Sequence, residues 1–129
     1  MKMKKIILTL TLLVALVATA SAQAEIKFDK VVHNFGTFEE STPVQKTTFT
    51  FTNVGNKPLV INQAIASCGC TVPSYTKQPI APGQKGQISV TYNGKGMFPG
   101  HFKKSITVRT NGNVEMSRLY IEGVMSEKK

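Results

Sequence analysis

The chain has 129 residues, with 16 basic and 7 acidic side chains and a formal charge of +9. That length suits one domain. A hydrophobic share of 41% with 18% charged residues excludes a disordered chain, and two cysteines exclude a disulfide-dense miniprotein.

Residues 1–22 read as a secretory signal peptide. Lys2, Lys4 and Lys5 form a basic start, Ile6 to Ala20 is an apolar and threonine run, and Ala20-Ser21-Ala22 is a small-x-small exit. The run is short of the roughly 20 apolar residues that a membrane span needs. Cleavage is expected after Ala22, leaving residues 23–129 as one domain with no transmembrane segment. No cysteine sits at the cut, so a lipid anchor is not indicated. Thirteen basic residues and all seven acids lie beyond it, for a mature charge of +6. The expected location is the periplasm or the cell exterior.

Period-two alternation then recurs along the chain, and no stretch sustains a 3.6-residue period. Strands are expected near residues 25–28, 31–36, 44–54, 58–66, 87–93, 101–110 and 114–124. Phe49 and Phe51 share one face with threonines on the other, Leu59, Ile61 and Ile65 continue the pattern, and Ile88, Val90 and Tyr92 repeat it. Phe102, Ile106 and Val108 follow with Lys104 as a polar lapse, then Leu119 and Ile121. β-Branched and aromatic residues dominate these runs, as half-buried pleated surfaces favour. Pro82-Gly83 suits the centre of a type II turn. Asn111-Gly112 suits a tight hairpin, and Asn93 to Gly100 a longer glycine-rich loop. The expected fold class is all-β, an immunoglobulin-like antiparallel β-sandwich of about seven strands. The antibody variety is excluded, because the cysteines are two residues apart and tryptophan is absent.

The positive charge is spread from Lys27 to Lys129, with Lys103-Lys104 and Lys128-Lys129 the adjacent pairs. Nucleic-acid binding would need a basic cluster with stacking aromatics, so no nucleic acid is expected. A weak long-range attraction to anionic lipid or glycan is compatible with the charge.

The concentrated feature is Ser67-Cys68-Gly69-Cys70-Thr71. On a strand, residues i and i+2 share a face at about 6.6 Å between Cα atoms, the upper edge of the roughly 4.4–6.8 Å that a disulfide tolerates. Gly69 between them would permit a closing kink. Cys68 and Cys70 therefore fit a structural bend with or without a local disulfide, a soft-metal site of which Cu(I) is the best fit, or an exchanging dithiol. His101 and Met97 in the glycine-rich loop are candidate additional copper ligands. His33, beside Phe35, reads as a strand residue, and Met116 and Met125 as sandwich residues. No phosphate-cradling loop, paired carboxylates or Ser/His/Asp spacing is visible, so no catalytic residue is assigned and no enzyme is expected.

Together the segments His33-Asn34-Phe35-Gly36, Phe49 to Gly55, Ser67-Cys68-Gly69-Cys70-Thr71-Val72-Pro73, Pro82-Gly83 and Gly86 to Tyr92 resemble a bacterial exported family of unknown function, domain-of-unknown-function family 1573. Its signature is the Cys-Gly-Cys-Thr core followed by Pro-Gly, and its relatives are the major-sperm-protein and ASH/hydin sandwiches. A glycine often seen in the first loop is replaced here by Glu40-Ser41. The resemblance implies a seven-stranded immunoglobulin-like fold and no settled activity. The functional expectation is an exported, non-enzymatic module for protein binding or scaffolding in the cell envelope, with an envelope protein or peptide as partner. The rival is a Cu(I)-binding or thiol redox protein using Cys68 and Cys70.

Overall fold

The computed structural model describes residues 22–127. Residues 1–21, which carry almost all of the expected signal peptide, lie outside the described residues. Eight strands follow in order: β1 (Ile26–Phe28), β2 (Val32–Glu39), β3 (Val44–Asn53), β4 (Ile61–Ala66), β5 (Thr71–Tyr75), β6 (Lys85–Asn93), β7 (Gly100–Thr110) and β8 (Met116–Ser126). They form two four-stranded sheets of order β1-β3-β6-β5 and β2-β8-β7-β4. This is an immunoglobulin-like sandwich.

The alternation works as the sequence dictates. Phe49, Phe51, Ile88, Val90, Ile106, Val108, Leu119 and Ile121 are all fully buried between the sheets. Tyr92 of β6 stacks on Phe102 of β7 at 4.0 Å between centroids, joining the two layers near the end of the sandwich where β6 finishes and β7 begins, and Phe38 closes on both rings edge-on. Burying such rings contributes on the order of 1.5–3 kcal/mol each. At the other end of β6, Gly86 is required because any side chain would meet the Phe51 ring.

Four expectations are corrected. The strands number eight, the additional one being β5. The sandwich is mixed, because β2 runs parallel to β8 while the other pairs are antiparallel. Asn111-Gly112 does not make a two-residue hairpin. Neither residue has positive φ, and the connection spans five residues closed by the Thr110 N–H donating to the Glu115 carbonyl at 2.9 Å. Ile65 does not share the face of Leu59 and Ile61. A β-bulge between Ile61 and Gln63 shifts the register, so Ile61 is buried and Ile65 is half exposed. One extra residue inverts every later side chain on a strand. By contrast Gly83 has φ +81° and the Gln84 N–H donates to the Ala81 carbonyl at 3.0 Å, as a type II turn at Pro82-Gly83 requires.

Candidate functional site

The cysteines occupy neither strand. Ser67–Cys70 is the corner where the chain leaves β4 in one sheet and enters β5 in the other. The corner is held from both sides. Ser67 donates its N–H to the Ser105 carbonyl of β7 at 2.9 Å, and the Asn93 N–H of β6 donates to the Cys70 carbonyl at 2.8 Å. The Ser67 hydroxyl accepts the Ser105 N–H at 3.1 Å.

Within that frame Cys68 and Cys70 are joined by a disulfide with a Cα–Cα separation of 5.1 Å. The turn geometry brings the Cα atoms closer than two strand positions would be. The Thr71 N–H donates to the Cys68 carbonyl at 3.1 Å, and the Cys70 N–H points at the Cys68 sulfur at 3.1 Å. The Cys70 sulfur lies 3.5 Å from the Thr71 hydroxyl. Both cysteines are half-buried, and Cys70 packs against the core. Gly69 lies in this turn, as the sequence suggests, but the turn does not use glycine's special freedom. The residue lacks positive φ, and a Cβ there would meet no atom within 4 Å.

The structure does not gather the other candidate ligands into a cluster of three. Among the described residues no group of three or more His, Cys, Asp or Glu side chains could hold one metal ion. His33 sits on β2, its Nδ1 facing the Lys30 ammonium at 2.7 Å and its ring edge-on to Phe35 at 4.8 Å. Partial burial, and then the Lys30 charge, push its pKa below the ordinary value. His101 is exposed at the start of β7 and Met97 is exposed in the preceding loop, whereas Met125 is buried and Met116 is exposed on β8.

One structural centre escapes sequence reasoning. Asn53 is fully buried with all four hydrogen-bonding positions filled. Its amide donates to the carbonyls of Lys57 at 2.7 Å and Ile80 at 2.9 Å. Its oxygen accepts from the N–H groups of Glu25 at 3.2 Å and Gly55 at 3.0 Å. It ties the N-terminal segment and two loops to one point. The signal was its parity, since Asn53 lies on the face of Phe49 and Phe51. A cavity of about 720 Å³ opens beside this region, at the end of the sandwich away from the cysteines, between Ala24, Lys57, Pro58 and Asn111. It is built from backbone turns and contains no cluster of titratable groups.

The family described as protein of unknown function (DUF1573) matches residues 26–125, a span that includes all eight strands but the last residue of β8. The chain belongs to this family. No curated protein matches it. Among solved structures, a protein of unknown function from Porphyromonas gingivalis W83 is similar at 15% identity and TM-score 0.71, covering 84% of this chain and 50% of that one. The chain thus spans half the length of that protein. An ASH/PapD-like domain of human CEP192 is similar at 12% identity and TM-score 0.61, covering 88% and 93%. The periplasmic chaperone SfaE is similar at 9% identity and TM-score 0.56, covering 81% and 59%. At such identities the likeness is one of fold. Among the described residues no helix is long and apolar enough to cross a membrane.

Proposed function

We propose that this member of the family is an exported, non-enzymatic module that binds another protein or peptide in the cell envelope. The observation that carries the proposal is the display of large apolar side chains outside a complete core. Phe98 is 95% exposed at the tip of the β6–β7 loop, and Ile65 is half exposed on the strand that leads into the cysteine corner. Large apolar side chains left outside a complete core are candidates for a surface that a partner covers. The start of the chain supports export, and the sandwich shared with a periplasmic chaperone is compatible with a partner of protein nature. The test is capture from envelope extract with the full chain as bait, compared with a Phe98→Ser, Ile65→Ser variant of equal thermal stability. A specific partner lost by the variant is expected. Repeated capture of no specific partner by the wild-type chain contradicts the proposal.

A second function is favoured by the Cys70 N–H pointing at the Cys68 sulfur. A thiolate attacking Cys70 would form a mixed disulfide there and release Cys68 as a thiolate, which that N–H would stabilise. Cu(I) capture by the pair would first require reduction of the bridge by two electrons. Purified protein that neither exchanges with glutathione nor, once reduced, binds Cu(I) would end this alternative.

A further inference from the structure

A sandwich has four sheet edges, and each exposed row of backbone N–H and C=O groups is either protected or available for pairing. Three of the four are protected. β1 is three residues long and carries Lys27, and the stretch of β3 that extends past it carries Lys46. β2 is interrupted by a register shift between Asn34 and Thr37. Gly36 lies there at φ +72°, its N–H already donated to the Asn34 side chain at 2.7 Å. On β5 the bonds from Asn93 to Cys70 and from Thr76 to Gln87 fix the alternation of the antiparallel ladder. Pro73, opposite Val90, therefore occupies a position whose N–H would point away from β6. Proline removes that donor from the free edge.

β4 has no such device. Its sequence, Ile61 to Ala66, contains no charge and no proline. The bond from Ser67 to the Ser105 carbonyl sets the alternation with β7, so Gln63 and Ile65 bond inward while Ala64 and Ala66 direct N–H and C=O to the outside. Among the described residues, the one hydrogen bond to the outer side of the strand comes from the Tyr75 hydroxyl to the Asn62 carbonyl at 3.4 Å. On the open side of the sandwich next to this edge, Ala64, Ala66, Cys70 and Tyr75 are partly buried against the core. They form an apolar seam that a further strand would cover. On the outer face Ile65, Ser105, Thr107 and Arg109 line a groove of about 230 Å³. Lys103, Arg109 and Arg118 lie on that face of β7 and β8, where Glu122 lies opposite Lys103, and the other acid of the face, Glu39, is on the far edge strand β2.

We propose that the free edge of β4 is a strand-addition site for an extended segment of a partner protein carrying acidic side chains. This rests on the binding-module function and specifies its site. Backbone pairing with Ala64 and Ala66 supplies the affinity. Apolar side chains of the added strand would pack on the seam, while acidic ones on its other face would meet the cationic outer surface.

The test uses the full mature chain and two synthetic acetylated octapeptides, one alternating glutamate with valine and the other lysine with valine. The glutamate peptide is expected to slow hydrogen exchange at the Ala64 and Ala66 amides at least tenfold and to bind at least tenfold more tightly than the lysine peptide. Ala64→Pro removes an outward donor while leaving the β7 ladder intact, as Pro73 does on β5, and is expected to weaken binding at least tenfold. Ile65→Glu places a negative charge on that outer face without altering the backbone, is likewise expected to weaken the glutamate peptide at least tenfold, and serves the same purpose if the proline variant fails to fold.

The proposal is overturned if neither peptide binds, if both bind equally, or if binding leaves the two amides unprotected. It is also overturned if the wild-type chain dimerises through this edge while Ala64→Pro is monomeric, since a second copy would then be the occupant. Capture of an envelope partner undiminished by Ala64→Pro would remove this edge and leave the binding-module function standing. Peptide binding at β4 by a chain that captures no envelope partner would do the reverse.

Discussion

Asn53 is the residue on which the end of the sandwich away from the cysteines depends. Removing its amide leaves the Glu25 and Gly55 N–H groups and the Lys57 and Ile80 carbonyls without that partner. Asn53→Ala is expected to cost about 2–4 kcal/mol in urea unfolding. A loss below about 0.5 kcal/mol would contradict the assigned role. Gly69 is the opposite case. Its φ is ordinary and its Cβ would meet nothing, so Gly69→Ala is expected to change stability by no more than about 0.5 kcal/mol. A larger loss would show that the corner needs glycine. His33 titrates below its ordinary value because it is partly desolvated and faces Lys30. The unfolded chain then binds the proton more readily, so stability is present above the unfolded pKa of about 6.5 and is lost as pH falls from there toward the lower folded value. The melting temperature should decline over that window, and His33→Asn should flatten the decline.

At the scale of elements, the disulfide corner turns the chain from one sheet into the other while hydrogen bonds from β6 and β7 hold it. A ring this small restricts the unfolded chain little, and on the chain-entropy scale it contributes about 1–2 kcal/mol. The Cys68→Ser, Cys70→Ser variant should therefore fold, with a loss of that size by denaturant titration. A variant that fails to fold would make the bridge the main support of the corner. The elements also mark where sequence patterns stop being informative. The runs around Phe49, Ile88, Ile106 and Leu119 were legible because burial on one face imposes period two on residue type. β5 was not, because Thr71–Tyr75 contains the edge proline and has no run of alternation long enough to register. Strand direction leaves no local trace, so the parallel pairing of β2 with β8 was hidden. The bulge after Ile61 is a matter of hydrogen-bond register, and it moved Ile65 from an expected core position to the surface.

For the whole molecule, the fold class was legible and the site was legible only in its composition. The Cys-Gly-Cys spacing identified the residues, but their place at a crossover between sheets follows from tertiary pairing. The free edge of β4 could not be seen without the sheet order, since an edge is defined by the strand that is missing beside it. The edge account makes Ile65, exposed by the bulge, the centre of the binding surface, whereas Val72 on the proline-protected edge of β5 is more exposed but should be idle. The most direct measurement places a photo-crosslinking amino acid at residue 65 or at residue 72 of the full chain, expressed in its native cells, and analyses the adducts by mass. The account predicts a discrete protein adduct from position 65 and none from position 72. Equal adducts from both positions, or none from position 65, would contradict it.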